Sequence, residues 1–155
     1  MKIRVVALAL LVPVPVLADA PAKQYEPFVD TDSQIVDQQT HLVWERPSSA
    51  APYPAPMSFA AAQLHCSNAA QRLPTLKELL TLVDEEPHEE YAGSQRVTKM
   101  INQSAFKRTP SDADFWTSSL HLSGRYATVS FETGLTSEAS AGTSLYVRCV
   151  TAQTD

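Results

Sequence analysis

The chain has 155 residues, with 17 acidic against 12 basic side chains and a formal net charge of −5. That length is one ordinary domain, large enough for a core of its own. The acidic balance repels phosphate and sulfate polyanions at long range, which argues against nucleic acid as a partner; only Arg96, Lys99, Lys107 and Arg108 fall close enough in sequence to make a local basic patch.

The first 18 residues read as a secretory signal peptide. Lys2 and Arg4 form a short positive start, Val5 to Leu17 is apolar apart from Pro13 and Pro15, and Val16-Leu17-Ala18 puts a small residue at the cut. Cleavage after Ala18 is favoured over cleavage after Ala20, which would leave Pro21 at the start of the product. The apolar run is shorter than the roughly 20 residues a membrane helix needs, and no second stretch could span a bilayer. No cysteine lies near the cut, so a lipid anchor is not expected there. The expected location is periplasmic or secreted.

Residues 19–28 read as a flexible lead-in, and the domain proper is expected over 29–151. Strand signals at Ile35-Val36 and Leu42-Val43-Trp44 flank the turn Asp37-Gln38-Gln39-Thr40, which predicts a hairpin. Pro47 to Pro56 is broken by prolines and small residues and reads as a loop. Ser58 is placed to cap a first helix running to about Asn68, with Phe59, Ala62 and Cys66 at helical spacing. Thr75-Leu76-Lys77-Glu78 fits a capping box: the threonine hydroxyl accepts from a backbone N–H and the glutamate reaches back to the cap. Leu76, Leu79, Leu80 and Val83 then form one apolar face, ended by Pro87. Glu85 to Ser94 reads as a charged, mobile insert, followed by a short helical piece near Val97 to Asn102. The last third reads as strands at Phe115–Ser119, Tyr126–Phe131 and Leu145–Val150, with a turn at Gly134. A hairpin, two helices and then antiparallel strands make an α+β chain.

Five blocks resemble a known family. Asp37-Gln-Gln-Thr-His-Leu-Val-Trp-Glu-Arg46 resembles its opening Asp-x-x-Thr-Gly-Leu-x-Trp block. Phe59-Ala-Ala-Ala-Gln-Leu-His-Cys66 resembles its helix ending in cysteine, and Arg72-Leu-Pro-Thr-Leu-Lys-Glu-Leu79 its Trp-Arg-Leu-Pro-Thr block. Phe115-Trp-Thr-Ser-Ser119 and Val147-Arg-Cys-Val150 resemble its closing blocks. This is the Lcl C-terminal domain family, named after a collagen-like bacterial adhesin. Two positions depart from its pattern: His41 stands for the glycine of the opening turn, and Gln71 for the tryptophan before Arg72. The resemblance implies a C-type-lectin-like fold in which a disulfide joins the first helix to the last strand, the locations of Cys66 and Cys149. It also allows a trimer, although no coiled-coil or collagen element here would enforce one.

The two cysteines admit two readings. An even count in an exported domain favours a structural bridge; a reactive pair, as in formylglycine-generating oxidases of similar fold, needs a free thiolate. His65 follows the helix one residue before Cys66, so it points about 100° away and is badly placed as a base. Asp84 to Glu90 could offer carboxylates to calcium, but without the alternation of an EF-hand loop; a solvated helix end is the simpler reading. The same carboxylates have no fixed separation that would make a glycosidase pair. The histidines at 41, 65, 88 and 121 lack zinc-ligand spacing, so no metal or other cofactor is expected. No nucleophile elbow, P-loop or dinucleotide fingerprint occurs.

These readings converge on an exported, non-enzymatic binding module, engaged in adhesion or carbohydrate recognition at the bacterial envelope. The family's namesake binds sulfated polysaccharide; the acidic balance here favours a neutral glycan or a protein partner instead. Candidate contact residues are Tyr91, Trp116 and Arg108, near the loops between the second helix and Trp116. The alternatives are an accessory envelope protein without a small ligand and, third, a cysteine oxidase.

Overall fold

The computed structural model describes residues 23–28, 32–47, 52–92 and 94–153. The expected signal peptide, 1–18, and its cleavage point lie outside the described residues, as does the start of the 19–28 segment.

Tyr25–Pro27 forms the first strand, β1, so the end of the expected lead-in is paired structure. It lies antiparallel to β2, Gln34–Asp37, which pairs with β3, Leu42–Glu45. The predicted hairpin is present, with Ile35 opposite Trp44 and Val36 opposite Val43. Its turn is organised by the buried Asp37 carboxylate, which accepts from the Gln39 amide at 3.0 Å and the Thr40 hydroxyl at 2.7 Å. His41 occupies the left-handed backbone region, φ 55°, so the turn keeps the conformation for which glycine is suited.

Helix α1 spans Phe59–Asn68 and buries Phe59, Ala62 and Cys66. Ser58 is its N-cap, but the hydroxyl makes no capping hydrogen bond. Helix α2 is shorter than expected, Leu76–Leu80, and carries the complete capping box. Beyond it the chain tightens into i→i−3 bonds, Leu82 to Leu79 and Val83 to Leu80. Leu79 and Leu82 are the buried residues here; the change of period turns Leu82 inward and leaves Val83 half-buried.

The segment expected to be a mobile insert is a hairpin, β4 His88–Ala92 against β5 Gln95–Lys99. The helix expected at 97–102 is therefore replaced by the end of β5. A third sheet contains β6 Phe115–Leu120, β7 Tyr126–Val129 and β8 Thr136–Ala139, all antiparallel. Gly134 turns the chain between β7 and β8 at φ 70°; a Cβ there would lie 3.1 Å from Met100 Sδ and Val83 Cγ1, so this position demands glycine on two counts. The expected strand at 145–150 is instead a run of single bridges, Leu145 to Met57 and Tyr146 to Phe115, before β9, Val150–Ala152. β9 completes the first sheet in the order β1-β2-β3-β9.

Strand alternation divides the core in two. Phe115 of β6 packs with Ile35, Trp44, Leu79, Phe106 and Phe131. Its neighbour Trp116 packs on the opposite side with Phe59, Leu73, Val147 and the two cysteines. Among the described residues no helix is long and apolar enough to cross a membrane.

Candidate functional site

An open groove starts at the end of α1. The helix closes with a Schellman turn: the Gln71 amide donates to Cys66 O at 2.9 Å and the Ala70 amide to Ser67 O at 3.0 Å. Ala70 takes the left-handed position, φ 54°. The turn drops Gln71 into a buried position, where its Nε2 reaches Val43 O at 3.4 Å. The next residue, Arg72, bridges to Val150 through reciprocal backbone hydrogen bonds of 2.9 Å.

Arg72 is locked from the other side by α2. Its two terminal nitrogens form a fork on Glu78, 2.8 and 2.7 Å. Glu78 also accepts from the Thr75 amide at 2.7 Å. The Arg72 hydrogen bonds, helped by those from Thr75, hold the Glu78 carboxyl down at about 2 against the opposing effect of burial. In return they raise the Arg72 guanidinium above its ordinary value.

Between these fixed elements lies an open groove of about 700 Å³ lined by Gln63, Leu64, Ser67, Gln71, Arg72, Leu73, Thr75 and Ser118. Its heads are amides and hydroxyls, its exposed apolar side chain is Leu64 with buried Leu73 beneath, and its one cation is already committed to Glu78. Leu64 is 61% exposed. This is a surface for hydrogen bonding and apolar contact rather than for charge.

Cys66 and Cys149 form a disulfide, with Cα atoms 5.3 Å apart, and both are fully buried. The thiolate that cysteine oxidation chemistry requires is therefore taken up in a bridge. Glu45 and His65 lie against it, Nε2 to Oε1 at 2.8 Å, and the second Glu45 oxygen accepts from the Cys149 amide at 3.1 Å. Glu45, His65 and the Cys149 sulfur sit within 4.8 Å of one another, but a disulfide sulfur is not a thiolate ligand, which leaves two protein ligands that already bind each other.

The candidate contact residues fall apart in space. Trp116 is fully buried, and its indole N–H donates to Met57 O at 2.8 Å. Its place among the candidate contact residues is corrected: the alternation of β6 sends it into the core. Tyr91 is 76% exposed on the β4–β5 hairpin. Arg108 stands in the chain between β5 and β6, at φ 62°, beside a separate small cleft. Among the described residues, no metal-type cluster of carboxylates is found in the acidic insert. Asp84 accepts from the Glu86 amide and pairs with His88, while Glu89 pairs with Arg96. All the groove residues fall in or beside the blocks that carry the family resemblance, yet none of them is singled out as a contact residue by the sequence.

A mixed α/β domain of mostly antiparallel strands, with two helices and one long-range disulfide, is the class these observations define. The chain belongs to the Lcl C-terminal domain family, whose model matches residues 33–151. No curated protein and no solved structure gives a match.

Proposed function

We propose that this chain is an exported, non-enzymatic recognition module on a C-type-lectin-like scaffold, and that the groove between α1 and α2 is where it holds a neutral glycan. The observation that carries this reading is the groove itself: amide and hydroxyl heads around apolar Leu64 and Leu73, on a frame fixed by the Arg72–Glu78 fork. Such a lining matches a sugar's alternating hydroxyls and C–H faces. The buried disulfide supports an oxidising compartment, in keeping with an export signal.

The test is a glycan array probed with the protein and with Gln63→Ala, Ser118→Ala and Tyr91→Ala. The expected result is a neutral glycan bound by the parent, weakened roughly tenfold by either groove substitution, the size of one or two lost hydrogen bonds, and indifferent to Tyr91→Ala. Loss with Tyr91→Ala alone would move the site to the hairpin. Silence across the array, with a protein captured in a pulldown, would sink the glycan reading.

A further inference from the structure

Whether a polar lining gives or takes protons decides which ligand suits it, and in the groove between α1 and α2 the partner of each group fixes the direction. Ser67 Oγ lies 3.0 Å from the carbonyl oxygen of Leu64. Ser118 Oγ lies 3.1 Å from the carbonyl oxygen of Pro74. A carbonyl only accepts, so each hydroxyl sends its single proton inward, and what it offers a ligand is a lone pair. The Gln71 amide is set in the same way: Nε2 donates to Val43 O at 3.4 Å, and its other end is the oxygen.

The other polar groups of the lining do not reverse this. The Thr75 hydroxyl is used in the capping box, donating to Glu78 Oε2 at 3.0 Å and accepting from the Glu78 amide at 3.3 Å. Arg72 donates through Nη1 to Leu73 O at 3.2 Å and through both Nη groups to Glu78. Gln63 is exposed and can turn its amide either way. The acceptors Ser67 Oγ, Gln71 Oε1 and Ser118 Oγ come from α1, the turn after it and β6, so only folding brings them to one groove.

Ser118 is held there by an irregular stretch of β6. The strand loses register with β7 between Trp116 and Leu120, and a break of this kind re-aims a side chain. Within it, Thr117 Oγ1 donates to Ala127 O at 2.7 Å, while the Ser118 amide and hydroxyl both donate to Pro74 O, at 2.7 and 3.1 Å. The next residue, Ser119, accepts from the Leu76 amide at 2.9 Å. β6 is thus pinned to the start of α2, with Ser118 on the groove wall.

Resting on the reading of this groove as a glycan site, we infer that it selects its ligand by hydrogen-bond direction. The ligand is an unsubstituted neutral hexose chain whose free hydroxyls donate to Ser67, Gln71 and Ser118, and Ser67 and Ser118 are specificity-determining residues. Methylation of a sugar hydroxyl removes the donor and keeps only an acceptor. Sulfation does the same and adds a negative charge, which a chain of net −5 repels. In both cases lone pairs face lone pairs, and a site whose polar groups are left unpaired by the wrong ligand rejects it strongly.

The experiment is an amide-resolved NMR titration with cellotetraose, maltotetraose and laminaritetraose, each beside its fully O-methylated and its sulfated form. The expected result is saturable shifts at Leu64, Arg72 and Ser118 with at least one unsubstituted sugar, and binding weaker by more than roughly tenfold for its methylated and sulfated forms. Ser67→Ala and Ser118→Ala each weaken the unsubstituted sugar roughly tenfold. Neither changes the residual affinity for the methylated sugar, because methylation already removes the same bond. Both variants are expected to fold: alanine suits a helix, and the Ser118 amide still reaches Pro74 O. A methylated or sulfated sugar bound as tightly as the unsubstituted one, or serine substitutions that weaken both forms alike or neither, would overturn the inference while leaving the groove a glycan site. Shifts with none of the sugars would remove the glycan site itself, and the inference with it.

Discussion

Two of the four non-glycine residues at positive φ, His41 and Ala70, stand at φ 55° and 54°, where backbone geometry favours glycine. The two are not equivalent. Histidine visits this region more readily than most side chains, and the Asp37 carboxylate holds the His41 turn from inside. Ala70 has no such help and is retained by the Schellman bonds alone. Relief of a left-handed Cβ contact is worth about 1–2 kcal/mol, and the added freedom of glycine in the unfolded chain removes about 0.5–1 kcal/mol of that. Ala70→Gly is therefore expected to stabilise the protein by about 0.5–1 kcal/mol, and His41→Gly by less. Urea denaturation of both variants checks the order; a larger gain at His41 would show that the Asp37 turn is the more strained of the two. At the same scale, a strand residue's side decides its availability: in β6 the alternation that places Phe115 in one core cluster places Trp116 in the other, which removes Trp116 from the candidate contact residues.

At the scale of elements, legibility follows the presence of a one-sided signal. The β2–β3 hairpin, α1 and α2 were readable because turn residues, apolar spacing and a capping box all agree within a few positions. The β4–β5 hairpin was not, because it is a two-stranded sheet rich in charge, held partly by the Glu89–Arg96 pair, with no apolar alternation to read. β8, Thr136–Ala139, is hidden likewise, since Ala139 is its one buried residue. The groove was invisible because α1, α2 and Ser118 meet only in three dimensions. The α2 capping box makes an acid-stability prediction. Glu78 titrates at about 2 when folded against an ordinary value of 4.5, so the stability it contributes is present above 4.5 and is lost as pH falls from there toward 2. Glu78→Gln removes that contribution at neutral pH and flattens the decline between those limits; the effect is modest because Arg72 is half exposed. A Glu78→Gln protein whose stability falls as steeply as the parent's over that range would contradict the assignment. The disulfide acts between elements too, closing a loop across 83 positions from α1 to the entry of β9. Chain-entropy arguments give it roughly 4–5 kcal/mol. Reduction under native conditions should be slow, since both sulfurs are buried, and the Cys66→Ala/Cys149→Ala protein should unfold at markedly lower urea. A midpoint within error of the parent would mean that the unfolded chain is already restricted there.

Across the whole molecule, Arg148 is the residue that both packs and ties. It is fully buried, reaches the β3 end through Glu45 O and the 106–109 turn through Thr109, and lies near three aromatic rings, those of Phe106, Tyr53 and Phe115. No carboxylate oxygen lies within ion-pair distance of it in any pairing among the described residues, and its Nε finds no acceptor. Its charge is thus accommodated by ring faces and two neutral acceptors. A lysine there would keep the charge, lose the fork and bring a more strongly hydrated head into the same buried space. A methionine would fill much the same volume without the charge, leaving two acceptors short of a donor, each costing about 1–3 kcal/mol. Because stranding a buried charge costs about 3–5 kcal/mol while replacing it by an apolar side chain is often far milder, Arg148→Lys should destabilise more than Arg148→Met. Urea midpoints of the two variants decide it: the reverse order would mean that the aromatic cage stabilises a cation of either shape, and that the charge itself, rather than the fork that joins Glu45 to Thr109, is what this position selects.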